Sequence, residues 1–452
     1  MKRNCCGGVS VQSGGESLIS SGGAVLLLKT AQVSGLAGEL SRGLKPWRAR
    51  RSVHDPGKAL LDLAVTIALG GDCLADAAVV RAQSELFGAV ASDPTISRLI
   101  DSLSADPAAG IAAIRAARAA ARATVWGHRC PWGGTEQQIV VDLDATLVGA
   151  HSEKEGATPN FKRGFGFHPL LAFVDHGAGG TGEPLAAMLR PGRANASDAA
   201  DQIAVLDAAL AQLPEPSRRQ VLVRGDTGSG VKELLWHIHQ LGLSYSVGVW
   251  GRQPVRDALA ALPKQSWKRA LDTDGLPRDG AQVAELTRWL PDTFTGWPPG
   301  MRVIARRERP HPGAQLRLTD EDGWRITVFA TNTVGGRLAD LEVRHRRRAR
   351  AEDRIRGLKD TGLTNLPLQA FAKNQIWLEL ACLAYELLTW TQLLAWPDQP
   401  ARSWEPKRLR LRLLTVAARL ITTGRRRILR LSKRWPWSDL ITGGHHRLVA
   451  LA

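Results

Sequence analysis

The chain has 452 residues, 44% of them apolar, and its 60 Lys and Arg against 43 Asp and Glu leave a formal charge of +17. This composition excludes a disordered chain and allows a large core divided into two to four structural units. The positive excess points to a polyanion, nucleic acid first, whose counterions are released on binding, and five cysteines without a CxxC pair speak against a zinc ribbon or a disulfide framework.

Residues 1–126 read as a helical, DNA-binding region. The opening MKRNCCGGVSVQSGGES has two basic residues but no apolar run, so no signal peptide is expected. From His54 the run DPGKALLDLAVTIALGGDCLADAAVVRAQSELFG spaces apolar residues as helices do, with a break at Gly70 and Gly71. The segment ASDPTISRLIDSLSA follows, with Ser92 or Asp93 as N-cap, Pro94 at the first helical position and Arg98 facing outward. These pieces can form a helix-turn-helix in which Arg98 meets DNA, or a plain helical bundle. The alanine-rich stretch 107–124 reads as a helical connector.

From about residue 135 the pattern changes. QQIVVDLDATLVGA, HPLLAFVDH and PLAAMLRPG are strands bounded by Gly or Pro. A helix over 197–213, the strand RQVLVRGD, a helix over 230–241 and the strand LSYSVGVW come next, so residues 135–250 predict an α/β sheet covered on both faces. Residues 251–323 carry Pro, Trp and the strand-like pieces MRVIARRER and AQLRLTD, and read as a β-rich insertion. Residues 324–395 return to the main pattern with WRITVFATN and a long helical tract, broken near 362–367. Its most apolar part, 376–396, contains Glu379 and Glu386 and is expected as a buried helix, not a membrane span. The remaining residues, 396–452, hold 13 Lys and Arg against 3 Asp and Glu, a basic tail with over half of the net charge.

Three acidic residues stand out along this path. Asp144 lies in VVDLDATLV, where an unpaired carboxylate among apolar neighbours is costly. Asp142 is two residues away on the same face, so either can be a metal ligand, and a strand-end Asp that caps a turn is the plain alternative. Asp226 ends the strand in VLVRGDTGSG, where ligands gather in open α/β sheets, although it can equally cap the helix that follows. In LEVRHRRRARAEDRIRGLKDTG, the residues His345, Arg348 and Lys359 stand 7 and 4 before and 7 after Glu352. On a continuous helix they share an arc of about 60°, with Arg350 and Arg354 turned about 200° away. That stripe suits phosphate and metal, while ordinary pairing of Arg348 with Glu352 on a solvated helix is the competing reading.

Two strand-end aspartates and a helical glutamate are the hard oxygen ligands that two-metal phosphoryl chemistry needs, and the lack of His and Cys clusters argues against zinc. The D-A-T of Asp144, the R-G-D-T-G around Asp226 and the late spacing of His345, Arg348, Glu352 and Lys359 resemble DDE transposases of bacterial insertion sequences. Their late signature runs Tyr, two residues, Arg, three residues, Glu, six residues, Lys, and this chain departs from it by His345 alone. The tracts ATPNFKRGFGFHPLLAF and RAEDRIRGLK look most like the thirteen-eighty family, and the similarity covers residues 18–396. The resemblance implies an RNase H-like mixed-sheet catalytic core, with Asp144, Asp226 and Glu352 holding two Mg²⁺ ions, for which Mn²⁺ can substitute. Arg348, Lys359, His345 and Arg98 would contact double-stranded DNA of element ends and target, in a homodimer or larger assembly in the bacterial cytoplasm at the nucleoid. A nuclease of the same core without strand transfer, and a decayed, non-catalytic DNA-binding protein, are the alternatives.

Overall fold

The computed structural model describes residues 17–132, 138–177, 180–250, 253–310 and 323–452. The expected strand AQLRLTD and the opening residues, with Cys5 and Cys6, lie outside the described residues.

The centre is one nine-stranded mixed sheet. Its first five strands are β1 (Ile139–Ala145), β2 (Leu170–Asp175), β3 (Gly182–Met188), β4 (Val221–Gly225) and β5 (Ser244–Gly248), arranged β3-β2-β1-β4-β5. β1 runs antiparallel to β2 and parallel to β4, and β4 runs parallel to β5. This is the RNase H-like arrangement that the resemblance implied. Nearly continuous apolar sequence builds it, because strands buried on both faces lose the usual alternation; every residue of β2 and of β4 is buried.

The tract read as an insertion does not form a body apart from this sheet. Helix Gln253–Ala261 leads into β6 (Lys268–Leu271), β7 (Pro277–Glu285) and β8 (Arg302–Glu308), and then β9 (Arg325–Thr331) pairs with β5. All four strands extend the same sheet outward from its β5 edge, in the order β9-β8-β7-β6. β9 was expected to return to the main pattern; the addition of β6 and β7 is new.

One hydrophobic cluster runs from Ala24 to Leu448 and joins the N-terminal helices, the sheet and the C-terminal residues. Helix Phe371–Ala395 is its axis and is buried over most of its length. Among the described residues, no helix is long and apolar enough to cross a membrane. The alanine-rich connector is helix Pro107–His128, which inserts Arg118 and Arg122 into this core, both fully buried. Arg118 binds Glu379 at 2.6 Å and Glu386 at 2.7 Å, Arg122 binds Glu183 at 2.7 Å and also pairs with Glu386, and Arg115 reaches Glu379. Alanines on the same helix allow the close approach that brings these guanidinium groups to the carboxylates.

The basic C-terminal residues are folded. A hairpin of β10 (Ala418–Thr423) and β11 (Arg426–Leu431) pairs through β10 with Leu18–Ile19, and helix Ser438–Ala450 buries Ile441 and Leu448. Near the N-terminus, Ser92 takes the N-cap position of helix Asp93–Ala105, Asp93 pairs with Arg81, and Arg98 is exposed as expected.

Candidate active site

β1 and β4 are neighbours in parallel register, with Asp142 opposite Arg224 and Leu143 opposite Gly225. One further step along both strands sets Asp144 beside Asp226, because parallel neighbours lie about 4.8 Å apart. Gly225 is required before this step, since a Cβ there would meet Ser229 Oγ at 2.3 Å. Asp226 does cap the turn that follows, its Oδ1 accepting the Gly228 N–H at 2.8 Å. The cap and the strand-end position are compatible, and the hydrogen bond fixes the carboxylate at the end of β4. Asp144 accepts the Ala145 N–H at 2.9 Å.

The third carboxylate comes from a helical tract that is not one continuous α-helix. Helix Leu338–Arg346 and helix Arg350–Leu358 are joined by the 3₁₀ turn Arg347–Ala349. A 3₁₀ turn advances about 120° per residue, so its three residues add roughly 60° to the α-helical phase and break the expected stripe. Glu352 is exposed and Arg348 half-buried, and both act electrostatically on Asp144. His345 is turned against the sheet, stacked on Phe329 with ring centroids 4.4 Å apart and with Nδ1 3.0 Å from Ser246 Oγ. Burial, then Arg348 and Arg224, push its pKa down to about 3, so the ring is neutral. Lys359 Nζ donates to the Leu147 carbonyl at 2.9 Å, on the segment that leaves Asp144.

Asp142 and Asp144 differ in their partners. Arg224 donates to both oxygens of Asp142 at 2.7 Å and to Asp175 at 3.0 Å. Arg350 and Arg354 reach the same Asp175 at 3.1 and 3.2 Å. Burial opposes ionisation of Asp175, and Arg224, Arg354 and Arg350 outweigh it, holding its carboxyl below the usual range. Asp142 is thus committed to a buried ion cluster. Arg350 and Arg354 are engaged in this cluster through Asp175. Neither Asp175 nor Arg224 was singled out in the sequence, although an arginine inside an apolar strand is a signal of a buried carboxylate.

Burial raises the pKa of Asp142 as well, against the pull of Arg224, but Asp144 has different charged neighbours. Burial, then the charge of Asp226 and a further contribution from Glu352, against the opposing Arg348, push its pKa up to about 7. Three carboxyl groups with too little positive charge, all hard oxygen donors, fit a divalent cation, which would offset their repulsion. Their oxygens do not all lie within 4.8 Å of one another; among the described residues, only Asp72, Cys73 and Asp76 do so. Ions held 3.5–4 Å apart in two-metal sites ask for a wider set of ligands. The Asp72 group is accounted for by turn capping, with Asp76 accepting the N–H groups of Asp72 and Cys73. A cavity of 460 Å³ opens beside Asp226 and Arg348, walled by Val249, Trp250 and His345.

The family model described as Transposase DDE domain group 1 matches residues 6–452. The chain belongs to this family of DDE transposases. No curated protein matches it. Among solved structures, the transposase is similar to a piggyBac transposase in a synaptic complex with hairpin DNA, determined by cryo-EM. The identity is 10%, the TM-score 0.40, and the match covers 87% of this chain and 79% of that chain.

Proposed function

We propose that this transposase, of the thirteen-eighty type, cuts insertion-sequence ends and joins them to target DNA, with Asp144, Asp226 and Glu352 as ligands of two Mg²⁺ ions. The observation that carries this reading is the junction of β1 and β4, where Asp144 and Asp226 end adjacent parallel strands within electrostatic reach of Glu352 and Arg348. Bound divalent cations would supply Lewis-acid stabilisation of the phosphoryl oxygens and a more acidic attacking hydroxyl.

The chain's own residues orient the substrate. Arg348 would hold the scissile phosphate by charge-assisted hydrogen bonds, and Lys359 fixes the segment after Asp144 through its bond to the Leu147 carbonyl. His345, neutral and stacked on Phe329, lines the same cavity as Arg348. The cavity beside Asp226 leaves room for the sugar-phosphate backbone. In the first step water attacks phosphorus and the P–O3′ bond breaks, leaving a 3′-hydroxyl and a 5′-phosphate. In the second step that hydroxyl attacks a target phosphodiester and displaces a target 3′-oxygen. Arg98 at the N-terminal end and the arginines of the β10–β11 hairpin supply further DNA contacts, and two ends brought together imply a dimer or larger assembly on DNA.

The test is a reaction of the full chain with element-end DNA, target plasmid and Mg²⁺. Joined product is expected. Cut ends without joined product would reduce the activity to a nuclease, and DNA binding without any metal-dependent product would remove catalysis from the account.

A further inference from the structure

The tract ATPNFKRGFGFHPL contains a feature that the cutting site does not use. Asn160 to Gly164 form a tight turn on the short strand pair Thr158–Pro159 and Phe165–Phe167. At its tip Phe161 is 69% exposed and Phe165, just after it, 39% exposed. Lys162 lies between Phe161 and Arg163 in sequence, its Nζ 5.8 Å from the Phe161 ring centroid, and both cations are exposed. Arg163 has φ +62°, a left-handed conformation that a residue with a side chain adopts only when its surroundings impose it. The Asn160 side chain imposes it, accepting from the N–H groups of Lys162 at 3.0 Å and Gly164 at 3.1 Å.

This turn is tied directly to the catalytic strand. Ala150 N–H donates to the Phe165 carbonyl at 3.0 Å, Gly149 and Val148 pair with Gly166 and Phe167, and Thr146 N–H donates to the Pro169 carbonyl at 3.0 Å. Thr146 is two residues beyond Asp144. On the other flank, the Phe161 ring lies 5.8 Å from His168, which senses the charge of Asp226. Lys162 is near enough to Lys359 to help lower its pKa, after burial. An exposed aromatic ring beside two exposed cations therefore stands near the three-carboxylate site.

We propose that Phe161 is a stacking wedge for a nucleobase unpaired beside the cleavage point, with Lys162 and Arg163 on the flanking phosphates. This inference rests on the proposed DNA-cutting activity. An exposed ring beside cations matches single-stranded nucleic acid, which offers base faces and phosphates together. A second copy of this chain fits worse, because a two-fold contact centred on this turn would bring Lys162 and Arg163 near their own copies.

The experiment compares binding of the full chain, without divalent cations so that nothing is cut, to two DNA probes: a blunt duplex and the same duplex with three unpaired nucleotides at one end. Phe161→Ala should lower affinity for the unpaired-end probe by about 5- to 150-fold, the range for one lost base–aromatic stack. Affinity for the blunt duplex should stay near wild type, and Phe161→Trp should restore the preference. A 2-aminopurine placed in the unpaired end should lose its stacking-dependent quenching in Phe161→Ala and keep it in Phe161→Trp. Unchanged affinity for both probes, or an equal loss on both, would overturn the wedge; so would a shift to monomer in sedimentation that explains the loss. Cleavage that fails while these binding differences persist would count against the proposed catalysis alone.

Discussion

Asp142 and Asp144 sit on one strand, two residues apart and facing the same side, yet their surroundings differ completely. Asp142 is held by Arg224 and shares with Asp175 a buried cluster supplied by Arg350 and Arg354. Asp144 stands with Asp226 and Glu352, opposed by Arg348, and its pKa rises to about 7. Burial raises the pKa of both, and their charged neighbours set them apart: Arg224 holds Asp142, whereas Asp144 faces the like charges of Asp226 and Glu352. The same principle acts at the other end of the core, where Arg118 and Arg122 neutralise Glu183, Glu379 and Glu386 and hold the N-terminal helix on the sheet.

The strongest way to break the comparison is to remove charge from each side. Asp144→Asn and Asp226→Asn should each lower Mg²⁺-dependent cleavage about 100-fold or more, since metal Lewis-acid stabilisation contributes several kcal/mol, while DNA binding measured by filter retention stays near wild type. Asp142→Asn should act on folding instead. Arg224 would keep only one of its two carboxylate partners, and chemical denaturation should show a loss of about 3 kcal/mol, with cleavage retained in the fraction that remains folded.

The helix after the 3₁₀ turn gives a second contrast. Arg354→Ala removes a buried partner of Asp175 and should lower stability by about 2 kcal/mol, whereas Arg348→Ala should leave the melting temperature unchanged and reduce cleavage about tenfold. Equal, small effects of both variants would place Glu352 on a solvated face, outside the site.

A pH series sharpens the electrostatic half of the contrast. In metal-free protein the folded-state pKa of Asp144, about 7, lies above its ordinary value of 3.8. Folding therefore favours the protonated form, and stability drops as pH rises from 3.8 through 7. Asp144→Asn should thus be more stable than wild type at pH 8, with a gain that shrinks below pH 7 and vanishes near pH 4 in thermal melts. Added Mg²⁺ should stabilise wild type more at pH 8 than at pH 5.5.

The smallest effect belongs to the β10–β11 hairpin. Arg419 and Arg430 face each other across the strands, a like-charge pair that a polyanion would relieve. Arg419→Gln with Arg430→Gln should make the salt dependence of DNA binding shallower by about 1.8 in log–log slope. An unchanged slope would leave these arginines as guards of an open sheet edge. Truncation after residue 400 is a poor test, because it removes Leu409, Leu413, Leu414, Ile441 and Leu448 from the core.

Much of the central sheet was legible because β-branched runs and Gly boundaries are local signals, and the DAT and RGDTG segments mark strand ends. What sequence spacing missed depends on partners far away in the chain. Asp142 and Asp144 are equivalent by alternation, and only Arg224, 82 residues from Asp142, separates them. The stripe from His345 to Lys359 assumed a single helical phase, and the 3₁₀ turn at Arg347–Ala349 has no Pro or Gly to announce it. The alanine-rich helix read as a connector because its buried arginines look like surface residues until Glu379 and Glu386 are placed. The strands β6 to β9 were legible only in part, since joining the central sheet is a matter of edge pairing and not of local pattern.

Whether Asp144, and not Asp142, holds divalent cations is read out by counting Mn²⁺ bound to the DNA complex by electron paramagnetic resonance. Wild type and Asp142→Asn, the latter measured at a temperature where it is folded, should bind two ions, and Asp144→Asn fewer. Two ions bound by Asp144→Asn, or loss of ions in folded Asp142→Asn, would contradict Asp144 as the ligand.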